Sequence, residues 1–256
     1  MLTVSMKRKL SDPALMTVIS CCLCTQARAT DLGRVWVDKP IGKEVRAEIQ
    51  EEGVRSVFTS KAADEHVFDD PKLFPKLWHA SLCLEERNLG NLQGLAANYP
   101  KLGSLTIRQS SPLSLKASAF LGKLAHLRAL ELCCRVENPA LLQDSLSPEI
   151  EQLEIVNSNL AEQDKLTITL PRLRELTIEN GKLSPSFLKN LDAPKLDRLC
   201  LFGVNLESAG LMELKRFSHL RQLNLAGSTL NNVDYADLRS LGRITIIDPA
   251  NRLYSE

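Results

Sequence analysis

Residues 171–206 read PRLRELTIENGKLSPSFLKNLDAPKLDRLCLFGVNL, a stretch that holds one phrase twice. Leu173, Leu176 and Ile178 keep the spacing apolar-x-x-apolar-x-apolar, and Leu196, Leu199 and Leu201 repeat it 23 residues later. A proline stands two residues ahead of each phrase, at Pro171 and Pro194, and a further leucine follows at Leu183 and Leu206. Residues two apart on an extended strand project from the same side, so the second and third apolar positions face inward and their neighbours outward. One such strand cannot bury its own apolar face. Stacked copies make a parallel sheet over a continuous core.

The phrase recurs on both sides of this stretch. It reads Leu102/Leu105/Ile107, Leu127/Leu130/Leu132, Ile150/Leu153/Ile155, then the two units above, then Leu220/Leu223/Leu225 and Leu241/Ile244/Ile246. Successive starts are 25, 23, 23, 23, 24 and 21 residues apart, a phase that a random leucine-rich sequence would not hold over seven units. Further back, His79/Leu82/Leu84 continues the phase with a polar first position, and Val54/Val57 and Leu32/Val35/Val37 are weaker echoes. The remaining leucines of the pattern are Leu89, Leu160, Leu183, Leu206 and Leu230, and prolines recur at Pro100 and Pro148. Proline suits the turn entering a strand because it needs no ladder partner there.

Over residues 79–246 this pattern resembles the leucine-rich-repeat family, whose unit is L-x-x-L-x-L-x-x-N/C-x-L over 20 to 29 residues. The resemblance implies an α/β solenoid: a horseshoe with a parallel concave β-sheet and short helices or irregular turns on the convex side. It departs from the family where Asn or Cys would bridge neighbouring coils. Arg87, Ser110, Arg135, Ser158, Gly181, Val204 and Ser228 stand there, of which only the serines partly replace that side chain.

Between strands, Ser184-Pro185 ahead of Phe187-Leu188 reads as a helix N-cap with proline in the first turn, and Ala209 to Phe217 has helical apolar spacing. Residues 166–170 alternate and read as extended. The expected organisation is a leader over 1–30, an N-terminal cap over 31–78 with two degenerate repeats and a helix near Glu44 to Glu52, repeats over 79–247, and a tail over 248–256.

The resemblance also implies that function lies on the outward positions of the concave strands. Glu131, Glu154, Glu175 and Glu179 fall there on three consecutive units, and parallel strands lie roughly 4.8 Å apart, so these carboxylates are expected to form one acidic patch. Arg198, Cys200 and Phe202 follow on the next unit, and Arg108 and Asn224 occupy outward positions further along. The expected site is Arg108, Glu131, Glu154, Glu175, Glu179, Arg198, Phe202 and Asn224, with the acidic zone steering a basic partner protein and Phe202 as an anchor. The competing reading is an ordinary solvated sheet face, and exposed aromatic residues elsewhere would weigh towards it.

Composition narrows the alternatives. A 44% apolar, 25% charged chain with only 5% aromatic residues suits a leucine-dominated interior. A net charge of +1 lacks the cationic excess that phosphate neutralisation needs, so no nucleic-acid partner is expected. The apolar run Leu15 to Cys24 is too short to span a bilayer, although with Lys7-Arg8-Lys9 before it and Ala27-Arg28-Ala29 after it the segment imitates a secretory signal.

Catalytic and metal residues are not expected. Cys83, Cys133 and Cys200 face outward, whereas His126 and His219 belong to turns entering strands, so no cysteine–histidine pair forms. Cys21-Cys22-Leu23-Cys24 has no second cluster at zinc spacing, no phosphate loop is present, and no cofactor is implied. Strand spacing keeps Cys83, Cys133 and Cys200 about 10 to 14 Å apart, beyond disulfide reach. That favours an intracellular setting, with secretion or translocation through the leader as the alternative.

The function expected is that of a non-catalytic adaptor or substrate-recognition subunit. The alternatives are a secreted or injected bacterial effector binding a host protein, and a ubiquitin-ligase component, for which the repeats leave little room for a separate catalytic domain.

Overall fold

The computed structural model describes residues 28–254 apart from 31–32, 39–40, 42–45, 47–48, 51–52, 61–62, 64–65, 86–88, 139, 144, 158, 161–166, 232–239, 242–243, 248–249 and 251–252. The leader up to residue 27, with its basic and cysteine clusters, lies outside the described residues.

One open sheet organises the chain. Its strands are β1 (Arg28–Thr30), β2 (Arg34–Val37), β3 (Ser56–Thr59), β4 (His79–Cys83), β5 (Ser104–Arg108), β6 (Ala129–Cys133), β7 (Gln152–Val156), β8 (Glu175–Glu179), β9 (Arg198–Phe202), β10 (Gln222–Asn224), β11 (Thr245–Ile247) and β12 (Leu253–Tyr254). They lie side by side in chain order. The ten strands β2 to β11 are parallel, and β1 and β12 add antiparallel edges.

The register explains why the phrase recurs. Val35, Val57, Ala80, Leu105, Leu130, Leu153, Leu176, Leu199, Leu223 and Ile246 pair in one inward row. None is more than 4% exposed. A second inward row runs from Leu82 through Ile107, Leu132, Ile155 and Ile178 to Leu201, all fully buried. Each buried leucine contributes roughly 1.5–3 kcal/mol of transfer free energy, collected only when a neighbouring strand covers it.

Two units read in the wrong frame from sequence. Ala80, not Leu82, pairs with Leu105, so the unit expected as His79/Leu82/Leu84 is framed on Leu77, Ala80 and Leu82. Likewise Ile246, not Ile244, pairs with Leu223. Both errors are slips of two residues. Such a slip keeps every side chain on its face, so alternation cannot detect it.

The two weak echoes are full strands, β2 and β3, continuing the parallel register. Residues 28–30, assigned to the leader, pair with β2 as an edge strand. Within the helix expected near residues 44–52, the described Arg46, Ile49 and Gln50 are helical.

The other side of the core carries short helices: α1 (Gly90–Asn98), α2 (Leu115–Leu121), α3 (Ala140–Gln143), α4 (Pro185–Asn190) and α5 (Ser208–Glu213), the last running into a 3-10 turn at Leu214–Arg216. Ser184 caps α4 by accepting from the Ser186 amide, with proline in the first turn as the sequence implies. The alternating stretch supplies the strand Ile168–Thr169, paired with Leu191–Asp192. Ser228 bridges to the preceding unit, donating to the Leu201 carbonyl at 2.6 Å and accepting from the Val204 amide at 3.1 Å. A serine side chain thus joins backbone groups of two neighbouring units.

After β7, β8, β9 and β10 the chain turns through a left-handed residue. Asn157, Asn180, Gly203 and Gly227 have φ of 58°, 50°, 59° and 66°. Short strands at Asn159–Leu160, Lys182–Leu183, Asn205–Glu207 and Thr229–Asn231 follow and form a second parallel sheet. At Gly203 a Cβ would meet Asn180 Oδ1 at 2.7 Å as well as the unfavourable φ. Gly203→Ala is therefore expected to lower stability by roughly 1–3 kcal/mol in urea unfolding. An unchanged midpoint would mean that the turn relaxes freely.

Candidate functional site

The outward face is built from three rows, one per outward position. The central row runs Trp36, Phe58, Ser81, Thr106, Glu131, Glu154, Thr177, Cys200, Asn224 and Ile247, one residue per parallel strand. An open depression of about 380 Å³ lies across β4 to β8, lined among others by His79, Ser104, Thr106, Glu131, Glu154 and Glu175. Its floor explains one departure from expectation. Ser81 and Thr106 point outward but are only 4% and 5% exposed, because they are short and their neighbours overhang them.

Glu131 and Glu154 are direct cross-strand partners on β6 and β7, and Glu175 and Glu179 flank Thr177 on β8. The four expected carboxylates therefore share one neighbourhood. Glu131 is the most tied: Thr106 Oγ1 donates to it at 2.8 Å, Cys133 Sγ donates at 2.9 Å, and Arg108 stands 3.9 Å away. Glu175 has Arg198 at 3.9 Å from the next strand. Glu154 and Glu179 have no ion-pair partner among the described residues. Arg108 and Arg198 thus bound the patch on opposite sides, and Phe202 pairs with Glu179 at its border. Asn224 is not brought to it. That residue lies on β10, two strands beyond β8, and its Oδ1 accepts from the Ala226 amide at 3.0 Å.

Burial, then the charges of Glu131, Glu179 and Glu175, push the Glu154 carboxyl up from 4.5 to about 7 against the smaller pull of Arg108. A carboxyl whose folded pKa is raised stays protonated in the fold while the unfolded chain ionises. Stability is therefore full below about pH 4.5 and falls as pH rises towards about 7. Discounted for solvent screening of a half-exposed group, the cost at pH 8 is about 1 kcal/mol. Glu154→Gln is expected to recover that amount at pH 8 and to change little at pH 4. Equal effects at both pH values would contradict the assignment.

The outward cysteines are poorly activated. Burial and then the Glu131 carboxylate push the Cys133 thiol up to about 12, and burial followed by Glu175 raises Cys200. None of the four described cysteines is in a disulfide. His79 lies on β4 with its Nδ1 2.8 Å from Ser104 Oγ, a pairing that the sequence reading missed because it placed His79 at the first position of its unit and not among the outward ones. Burial lowers its pKa. Among the described residues no carboxylate is hydrogen-bonded to the ring, so the pair lacks the orienting third group of an activated hydroxyl.

The reading from sequence also missed an aromatic ladder on the same face. Trp36 and Phe58 stack with centroids 4.7 Å apart and planes 13° apart, and Phe58 lies 5.5 Å from the His79 ring. The signal was present in Val35-Trp36-Val37 and Val57-Phe58-Thr59, whose alternation puts each ring outward once those segments are taken as strands.

Among the described residues no helix is long and apolar enough to cross a membrane, and no cluster of His, Cys, Asp or Glu could hold a metal ion. No protein-family model matches the chain, and comparison with curated proteins finds no similar sequence.

Proposed function

We propose that this chain is a leucine-rich-repeat scaffold of horseshoe form that binds a partner protein bearing a basic patch on its outward sheet face, as an adaptor or substrate-recognition subunit without catalysis of its own. The observation carrying this reading is the open depression across β4 to β8, where Glu131, Glu154 and Glu175 line one wall and Glu179 stands beside them. Two of these carboxylates, Glu154 and Glu179, have no ion-pair partner among the described residues, which is the arrangement that a basic partner would complete. In-register stacking of ten parallel strands and the inter-coil bridge of Ser228 support the leucine-rich-repeat reading. The absence of a disulfide among the four described cysteines supports an intracellular setting. The test is affinity capture from native extract with the full chain and with Glu131, Glu154 and Glu179 all reversed to lysine.

A further inference from the structure

We infer that the outward face takes an extended segment of its partner that crosses the strands, seating a large apolar or aromatic side chain on Trp36 and Phe58 and a Lys or Arg side chain between Glu154 and Glu179. This rests on the partner-binding reading and adds a second contact point, an orientation and a spacing.

Three observations carry it. Trp36 and Phe58 are partly exposed on a sheet face, stacked in register on β2 and β3, and an aromatic pair held rigid by its strands anchors a partner at little entropic cost. At the other end, Glu131 and Glu175 already have Arg108 and Arg198 beside them, whereas Glu154 and Glu179 have no ion-pair partner among the described residues, Arg108 acting on Glu154 only from a distance. Local charge complementarity therefore asks for one further cation. Between the two ends the central row narrows to Ser81 and Thr106, whose short, buried side chains let a main chain pass close to the sheet. The aromatic end and the carboxylate end are thus joined by a low floor.

Geometry sets the spacing. Phe58 on β3 and Glu154 on β7 are four strand intervals apart, about 19 Å. An extended chain advances about 3.3 Å per residue, so the apolar and basic side chains of the partner stand about six residues apart. Arg34 and Arg108 also face this path and disfavour a second basic residue between the two anchors.

A library of random dodecapeptides displayed on phage, selected on the full chain, tests this directly. The expected result is a shared pattern with an aromatic or large aliphatic residue and a Lys or Arg about five to seven positions apart. Selection on Phe58→Leu should lose the aromatic preference alone, and selection on Glu154→Gln/Glu179→Gln the basic preference alone. Each change should weaken a synthetic peptide of that pattern by roughly tenfold. Phe58→Leu keeps an apolar group against Trp36, and circular dichroism of each variant checks that it folds. Peptides that keep the basic residue but show no aromatic preference would overturn the two-point inference and leave the acidic-face reading standing. Selections indistinguishable between the wild-type chain and both variants would overturn both.

Discussion

Replacing Leu176 with alanine is expected to lower the stability of the chain by about 3–4 kcal/mol, and replacing Ile246 with alanine by roughly half as much. Both residues belong to the same inward row, so the difference comes from position. Leu176 is fully buried, with Leu153 on one side and Leu199 on the other, so its cavity opens between two rigid strands in the middle of the sheet. Ile246 has Leu223 on one side and on the other only the two-residue antiparallel strand β12, which can close over a void. Where each unit touches only its neighbours, a central defect weakens two interfaces and uncouples two halves. Urea unfolding of the two variants against the parent checks this. Equal losses would mean that the end of the sheet is held as firmly as its middle.

Reversing Glu131, Glu154 and Glu179 to lysine together is expected to abolish capture of a basic partner, a loss of at least about 100-fold at low ionic strength. Three reversals shift the charge of this small depression by six units, and they replace the counter-charge of Arg108 with a lysine while Arg198 keeps Glu175. The effect should shrink as salt is raised, since the Debye length falls from about 10 Å at 0.1 M to about 3 Å at 1 M. The matched control reverses Glu137, Glu207 and Glu213, the same change in net charge placed elsewhere. Comparable loss in the control would mean that net charge, not this face, governs capture. Undiminished capture by the Glu131/Glu154/Glu179 variant would remove the outward face from the account.

Much of this was legible in sequence for a simple reason. Burial on one face of a strand imposes a period of two, and the return of the chain to the next strand imposes a period near 23, so Leu105, Leu130, Leu153, Leu176, Leu199 and Leu223 could be aligned without coordinates. The acidic patch followed from the same arithmetic: equivalent outward positions on adjacent strands are neighbours, and Glu131 and Glu154 are indeed paired. The frame failed at Ala80 and at Ile246, where the inward position holds an alanine or the unit offers two isoleucines at alternate sites, Ile244 and Ile246. Asn224 failed for another reason. A short amide finds a local backbone donor, the Ala226 amide, before it reaches a surface partner.

By itself the sequence determined the strand period, the buried rows and the sign of charge on the outward face, because each depends only on which residues recur at which spacing. Tertiary structure alone decided how far the sheet extends, since Val35 and Val57 are too few per unit to announce strands until β4 pairs with β3 and β3 with β2. It also decided that Trp36 and Phe58 stand at one end of the same face as the carboxylates, and that Arg108 and Arg198 are spent on Glu131 and Glu175 while Glu154 is not. Those are facts about which side chains overlap across strands some 23 residues apart, and overlap is set by pairing register, which a pattern of alternation leaves free to slip by two.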